Sequence, residues 1–322
     1  MEYRVLGRTG AKVSVLCLGC MNFGGPTDEA ESHHILDRAF EAGLNFWDTA
    51  NVYARQESER ILGRWFAQRG SSARDQIFLA TKVHGRVGEG PNDAGNHRYH
   101  VTRQVEASLR RLQTDRIDLY YFHRPDPETP IEEQIAVMDD LVRQGKIVYY
   151  GTSHYPAWMI MHGLWIADRS GRRPWVADQP RYSLVDRAIE QDIVPFCRAT
   201  GYALVPHSPL AGGFLTGKYQ RGAPPPEGTR LARQPNRFAE FGDAHWALLD
   251  RLMAVSREIG CTPGQAAIAW VLSRPFVTSS IIGPRTLEQF EENLGAVQVK
   301  LPDETVRALD DASAFAARLP RA

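Results

Sequence analysis

The hydrophobic pattern of this chain changes period repeatedly, and that alternation limits its fold more than any other feature. Eight short runs rich in apolar and β-branched residues fall at 15–18, 44–47, 77–81, 117–122, 147–150, 176–177, 203–205 and 279–282. Continuous apolar runs of this length suit strands buried on both faces. Between them lie stripes of helical spacing: Ile131, Ile135, Met138 and Val142; Val101, Val105, Leu109 and Leu112; and Ile61, Leu62, Trp65 and Phe66. Helix starts are marked by Thr129, Pro130 and Glu132 as N-cap, N1 and N3. Thr262, Pro263 and Gln265 repeat that arrangement, and Asp28 with Glu31 is a weaker version. Eight strands, each followed by a helical segment, predict an α/β fold, a (β/α)8 barrel in one domain over residues 1–322. A doubly wound sheet is the alternative for such alternation. Eight units are many for one open sheet, however, and LCLGCMNFGG at 16–25 lacks the G-x-G-x-x-G spacing. Residues 3–15, with Gly7-Arg8-Thr9-Gly10 in the middle, read as a β-hairpin ahead of the barrel.

A barrel takes ~250 residues, so a chain of 322 has ~70 to spare. The surplus concentrates at 84–100, after the third barrel strand, and at 211–241, after the seventh. Both follow the strand ends where barrel enzymes build their sites. Lys plus Arg and Asp plus Glu each number 38, so the formal charge is zero. That balance argues against nucleic acid or an anionic membrane as the main partner, while leaving room for a local phosphate site. No ~20-residue apolar stretch is present for a bilayer span, and residues 1–10 lack the apolar core of a secretory signal. Four cysteines do not make a disulfide scaffold. A cytoplasmic protein with ample core is expected.

Four polar residues fall at the ends of barrel strands two, three and four: Asp48 and Tyr53 in WDTANVY, Lys82 in LATK and His123 in YYFH. Singly, each has an ordinary reading as a turn residue, a packed aromatic or a side chain reaching solvent. Adjacent strand ends converge on one pocket, so the four should be neighbours. A phenol with its ordinary pKa of ~10 is a poor acid or base at neutral pH unless its phenolate is stabilised. A lysine ammonium does this, and a carboxylate holds the lysine charged. The set suits proton delivery to an oxyanion forming on a carbonyl. It lacks a nucleophilic Ser–His pair and a ligand set for a metal.

These residues sit within longer motifs. FWDTANVY followed by SERILGRW, DLYYFHRPDP, GKIVYYGTSHY, QPRYSL, HSPLAGGFLTGKY and IIGPRTLEQFEENLGA occur in this order, from Tyr3 to about Ala296. The chain thereby resembles the aldo-keto reductases. The resemblance implies an NADPH-dependent carbonyl reductase on a TIM barrel, with hydride passing from nicotinamide C4 to the carbonyl carbon. It implies Tyr53 as general acid in reduction and base in oxidation, Lys82 lowering its pKa, Asp48 pairing with Lys82, and His123 orienting the carbonyl. Ser153 and Gln179 match the positions that bind the nicotinamide carboxamide. Ser208, Leu210 and Gly213 match the pyrophosphate-covering segment, with Lys218 beside it. Gly283, Arg285, Gln289 and Asn293 match the adenosine end, and Gly19, Met21, Asp48 and His207 complete the cofactor set. Arg285 is the natural partner for a 2′-phosphate, because a guanidinium binds it in bidentate fashion, so NADPH is expected over NADH.

The chain departs from the family pattern at two places. His154 stands where asparagine often follows the strand-five serine, and His207 stands where an aromatic commonly stacks on the nicotinamide. An imidazole offers less area, so stacking weaker by ~1 kcal/mol is expected, and His207→Tyr should tighten NADPH binding. Strand-end position makes Met21, Phe23, Trp47, Tyr53, His84, Arg124 and Tyr155 candidates for the substrate wall. Phe23 and Trp47 suggest a partly apolar pocket; His84 and Arg124 would tolerate a sugar or a phosphorylated aldehyde. The motifs do not separate aldehyde, ketone, sugar and steroid substrates. Cys17-Leu18-Gly19-Cys20 has no second pair to complete a zinc site. His97 and His100 are explained by a loop at the substrate mouth, and His33-His34 by a helix surface. Two rival readings share the motifs: an NADPH-binding regulatory subunit similar to potassium-channel β subunits, and an NADP-dependent dehydrogenase working in the oxidative direction. Residues 301–322 have two possible placements, on the barrel or across its mouth.

Overall fold

The computed structural model describes residues 1–317. A two-stranded antiparallel hairpin, β1 (Tyr3–Val5) and β2 (Lys12–Ser14), precedes the barrel. Eight parallel strands follow: β3 (Leu16–Gly19), β4 (Phe46–Asp48), β5 (Phe78–Val83), β6 (Ile117–Phe122), β7 (Ile147–Thr152), β8 (Ala177–Asp178), β9 (Ala203–Leu204) and β10 (Ser280–Ile282). Their order is β10-β3-β4-β5-β6-β7-β8-β9. The circle closes where Thr278 N–H donates to Leu204 O at 2.8 Å and Ile281 N–H donates to Pro206 O at 2.9 Å. All eight expected strands are present, and the fold is the (β/α)8 barrel with its N-terminal hairpin.

The helices are α1 (Glu29–Glu41), α2 (Glu57–Arg69), α3 (Ser71–Asp75), α4 (Arg98–Leu112), α5 (Ile131–Arg143), α6 (Ala157–Arg169), α7 (Ile193–Thr200), α8 (Pro235–Ala239), α9 (Asp243–Ile259), α10 (Pro263–Leu272), α11 (Leu287–Gly295) and α12 (Asp303–Ala312). Thr262 and Gln265 form the expected capping box of α10, and Asp28 caps α1 through Glu31 N–H. Thr129 does not cap α5. The helix starts one residue later, after Pro130, because the Thr129 hydroxyl is turned to donate to Asp126 Oδ2 at 2.7 Å. The described part of the C-terminal segment lies on the barrel's outside: Leu309 of α12 is fully buried, and Arg187 N–H donates to Ala316 O. Residues 318–322 lie outside the described residues.

The two faces of each strand serve different cores. Cys17, Phe46, Ala80, Leu119, Tyr121, Ala177, Ala203 and Ile281 fill the barrel interior. Leu18, Trp47, Leu79, Tyr120 and Tyr150 point outward and pack against the helices. Side chains alternate along a strand, so Asp48 shares the inward face with Phe46, Lys82 with Ala80, and His123 with Tyr121. Trp47, expected in the pocket wall, therefore faces away from it: its ring lies 4.9 Å from Trp65 and 5.8 Å from Phe66 of α2, and its Nε1 donates to Leu44 O at 2.8 Å.

One buried acid in this wall gives the fold a pH dependence. Asp178 of β8 is fully buried; it accepts from Thr152 Oγ1 at 2.7 Å, while its second oxygen has no partner among the described residues. Burial pushes the carboxyl up from 3.8 to about 8, with the Thr152 hydrogen bond acting against it. The folded state therefore keeps a proton that the unfolded chain releases, and stability falls as pH rises between about 4 and about 8. Asp178→Asn should raise stability at pH 8 by about 1–3 kcal/mol and leave it unchanged at pH 4, read by denaturant unfolding at both pH values.

Candidate active site

Asp48 and Lys82 end neighbouring strands, β4 and β5, on the inward face. Lys82 is completely buried, and its Nζ donates to Asp48 Oδ1 at 2.5 Å, to Thr49 O at 2.8 Å and to the Tyr53 hydroxyl at 3.3 Å. Tyr53 lies in the turn just past β4, and its hydroxyl is 3.5 Å from His123 Nε2 at the end of β6. Gln179 Nε2 donates to Asp48 Oδ2 at 2.9 Å, and Ser153 Oγ donates to Gln179 O at 2.8 Å. Asp48, Tyr53, Lys82, His123, Ser153 and Gln179 thus form one connected network at the C-terminal ends of the barrel strands.

The network fixes the charge states. Burial alone would depress Lys82, yet the Asp48 carboxylate and Tyr53 hold its ammonium above the ordinary value. Burial raises Asp48, and Lys82 and Gln179 act against that. Lys82 pulls the Tyr53 phenol down, as the resemblance implies, but burial outweighs it and the phenol stays above its ordinary 10.0. At neutral pH Tyr53 is therefore a protonated phenol. Burial, with the charges of Lys82 and Arg124, lowers His123 to about 2, so it is a neutral imidazole.

Backbone strain gathers at this end of the barrel. Ala54, Arg55, Gln56, His84, His154, Ser208 and Ala211 all have positive φ, and among the described residues only Gln113 does so elsewhere without being glycine. Such conformations persist where the surroundings over-determine them, often at functional sites. His154 and His207, the two departures from the family pattern, meet here: their Nε2 atoms are 2.9 Å apart, and His207 Nδ1 is 2.9 Å from Ser208 Oγ. Burial lowers both, His154 to about 3, so one neutral ring donates to the other.

The remaining cofactor candidates divide by what already holds them. Lys218 folds back over Gly213, where φ is +92° and a Cβ would sit 2.7 Å from Lys218 Nζ. Burial and the neighbouring Arg285 charge depress Lys218, so two cations share one place. Arg285 Nη1 donates to Gly228 O at 2.8 Å, joining the last strand's loop to the loop after β9. Glu292 offsets part of the Lys218–Arg285 repulsion. Gln289 Oε1 accepts from Arg285 N–H at 3.0 Å, Asn293 is buried, Met21 and Leu210 are half-buried, and Gly283 is exposed. Gly19 has a structural reason of its own: a Cβ there would meet Ile281 Cγ2 at 2.6 Å.

Among the expected substrate-wall residues, His84 and Arg124 stay at the mouth; His84 Nδ1 is 3.1 Å from Asn96 Oδ1, and Arg124 is exposed. Three do not line it. Trp47 faces the helices. Phe23 is completely buried in the outer core. Tyr155 is 2% exposed and serves as a pin: its hydroxyl donates to Gln134 Oε1 at 2.6 Å and accepts from Asn96 Nδ2 at 3.0 Å. His97 caps α4 by accepting from His100 N–H, and His100 Nδ1 lies 3.2 Å from Asn92 O, so this pair organises the loop after β5. Of the two helix-one histidines His34 is exposed, whereas His33 is half-buried with Nε2 3.4 Å from Ile61 O. Cys17 and Cys20 are both buried, and burial raises their thiols. Arg181, inside the QPRYSL motif, is bridged in parallel to His207 at the end of β8.

The fold is thus a (β/α)8 barrel with a buried Lys82–Asp48 pair and the Tyr53 hydroxyl at its C-terminal mouth. The aldo/keto reductase family's sequence pattern matches residues 15–314, and the chain belongs to that family. It is 40% identical over 319 residues to YrpG, an uncharacterized oxidoreductase of Bacillus subtilis, covering 97% of this chain and 95% of that one. It is 35% identical over 322 residues to a putative voltage-gated potassium channel subunit beta of Schizosaccharomyces pombe, covering 97% and 93%. It is 37% identical over 303 residues to a probable subunit of the same name from Arabidopsis thaliana, covering 93% and 92%. Membership places the chain in an oxidoreductase family that uses NADPH. Among the described residues no helix is long and apolar enough to cross a membrane.

Proposed function

We propose that the chain reduces an aldehyde or ketone carbonyl, with Tyr53 as the proton donor. The observation that carries this reading is the Lys82 ammonium shared between Asp48 at 2.5 Å and the Tyr53 hydroxyl at 3.3 Å. NADPH, when bound, supplies the hydride. A carbonyl oxygen lying between the Tyr53 hydroxyl and His123 Nε2 takes the phenol proton as its negative charge grows. Lys82 stabilises the phenolate left behind, and Asp48 keeps Lys82 charged and in place. Neutral His123, in the tautomer protonated on Nε2, donates to the same oxygen and orients it. The raised phenol keeps Tyr53 protonated for reduction at neutral pH, whereas oxidation, the reverse reaction, starts from the phenolate.

On this reading Ser153 and Gln179 would hold the nicotinamide end of the cofactor, Ser208, Leu210 and Gly213, with Lys218, the pyrophosphate, and Gly283, Arg285, Gln289 and Asn293 the adenosine end. The mutual repulsion of Lys218 and Arg285 supports a bound anion there. Charge-assisted hydrogen bonds contribute about 1.5–3 kcal/mol. Arg285→Ala should therefore lower discrimination against NADH by roughly 10- to 100-fold. Unchanged discrimination, measured as the ratio of kcat/KM for the two cofactors, would count against that assignment.

A second reading, an NADPH-binding subunit that works by docking, is supported by the two relatives named as channel subunits. It is also supported by Trp158, Met161 and Trp165, which are 65%, 50% and 53% exposed on α6. NADPH consumption over a panel of aldehydes, ketones and sugars separates the two. Turnover supports the reductase; a stable tetramer by light scattering that turns over nothing supports the subunit.

A further inference from the structure

The long loop after β5 returns to the barrel at Asn96, a residue that no motif marks. Its side chain is completely buried and joins the ends of three neighbouring strands. Asn96 Nδ2 donates to Arg124 O, past β6, at 2.9 Å and to the Tyr155 hydroxyl, past β7, at 3.0 Å. Asn96 Oδ1 lies 3.1 Å from Nδ1 of His84, just past β5. The Asn96 backbone N–H donates to Asp126 Oδ2 at 2.7 Å.

Two backbone carbonyls at the edge of this network decide where its hydrogens sit, because a carbonyl oxygen only accepts. Gln134 Nε2 donates to Thr129 O at 2.8 Å, so Gln134 Oε1 is left to accept from the Tyr155 hydroxyl at 2.6 Å. With its own hydrogen engaged there, the Tyr155 oxygen accepts from Asn96. Arg124 O likewise fixes the Asn96 amide nitrogen on its side. Asn96 Oδ1 therefore faces His84 as an acceptor, and His84 Nδ1 carries the hydrogen. In the neutral imidazole the lone pair is then on Nε2, which makes no hydrogen bond among the described residues.

His84 is pinned in place. Its φ is +152°, a conformation in which a residue other than glycine needs support from its surroundings. Gly95 N–H gives that support by donating to His84 O at 2.7 Å, next to the Asn96 contact. The register pairs Val83 with Phe122, so His84 and His123 follow on adjacent strand ends, and His123 N–H donates to Val83 O at 2.8 Å. On the other side Gly85 lies against the turn that carries Tyr53: a Cβ there would meet Val52 Cγ1 at 2.6 Å. His84 thus sits between the strand end of His123 and the turn of Tyr53.

Tyr53 and His123 present hydrogens to a carbonyl oxygen; His84 presents a lone pair. Resting on the reductase reading, we propose that Asn96 is a positioning residue that fixes the Nδ1-protonated tautomer of His84, and that His84 Nε2 accepts from a substrate hydroxyl one or two carbons from the carbonyl. The substrate class is then a hydroxyaldehyde or hydroxyketone. A methyl in place of that hydroxyl leaves Nε2 without a partner once the substrate has displaced water.

Matched probes exchange the hydroxyl for a methyl: glycolaldehyde against propionaldehyde, and 3-hydroxybutanal against 3-methylbutanal. A hydroxyl also alters carbonyl reactivity, so the reading is the hydroxyl-to-methyl ratio of kcat/KM compared between proteins. In at least one pair the wild-type ratio should exceed that of His84→Phe by about 3- to 10-fold, mainly through KM. His84→Gln, which keeps an acceptor oxygen, should restore part of it. The 15N spectrum of the imidazoles, assigned with His84→Gln, should place the hydrogen on His84 Nδ1 in the wild type and on both nitrogens in exchange in Asn96→Ala. Should Asn96→Ala fail to fold, the wild-type spectrum and the two His84 variants still decide. Equal ratios in the wild type and His84→Phe for both pairs, or a neutral His84 with its hydrogen on Nε2, overturn the proposal and leave the reductase reading intact. A wild-type tautomer in folded Asn96→Ala overturns the role of Asn96. If no probe is consumed, the reductase reading falls, and titration of the NADP+-saturated protein decides the contact. Movement of the His84 Nε2 signal by a hydroxylated probe but not by its methyl partner supports it; no difference overturns it.

Discussion

Tyr53→Phe should lower carbonyl reduction by roughly 10²–10⁴-fold, the usual contribution of a positioned general acid. The substitution deletes one oxygen and keeps the ring, which lies edge-on to His123 at 5.6 Å and under the Lys82 ammonium at 5.0 Å. Packing and the Asp48–Lys82 pair are therefore preserved, and the loss should appear in kcat, with NADPH affinity within a few-fold of the wild type. The pH profile carries the same claim. Reduction needs the protonated phenol, and burial holds that phenol above 10.0 despite Lys82. The acid limb of Tyr53 should thus keep reduction active through neutral pH and fall only above the ordinary phenol range, while oxidation should rise with pH as phenolate forms. A loss of reduction between pH 7 and 9 that disappears in Tyr53→Phe would contradict this.

Lys82→Met should cost both activity and fold. Lys82 is the partner of a carboxylate that is 3% exposed, and removing one member of a buried pair typically costs about 3–5 kcal/mol. Asp48 has an escape, because it can take up a proton and keep the Gln179 hydrogen bond. With the lysine gone its pKa rises further, so the folded variant binds a proton that the unfolded chain releases above about pH 4. The deficit relative to the wild type should therefore shrink in acid and grow toward neutral pH. Adding Asp48→Asn to Lys82→Met removes the stranded acid and should recover much of the stability with none of the activity. Chemical denaturation of the wild type and the two variants at two pH values measures this; an equal deficit of Lys82→Met at both would mean that Asp48 is not the source.

The strands were legible because a barrel strand is apolar on both faces, and each of the eight left a continuous run. The tetrad was legible for a related reason: Asp48, Lys82 and His123 are polar residues interrupting such runs at their C-terminal ends. Trp47 shows where the pattern was underused. It is adjacent to Asp48 in β4, and alternation forbids both from facing the pocket. Tyr155 and Phe23 were beyond reach, since their burial depends on Gln134, Asn96 and the helix layer, all distant in sequence. Thr129 lost its capping role to Asp126, a competition that no local spacing reveals. The sign of the Tyr53 shift needed the site itself, because burial and Lys82 oppose one another and only their balance matters.

The most direct measurement is the fate of the transferred hydrogen. Purified protein is given NADPH deuterated at the transferable position of nicotinamide C4, together with an aldehyde that it consumes. The account predicts one deuterium on the former carbonyl carbon of the alcohol, formed at a rate that collapses in Tyr53→Phe. An alcohol without the label, or labelled alcohol formed as fast by Tyr53→Phe as by the wild type, would contradict it.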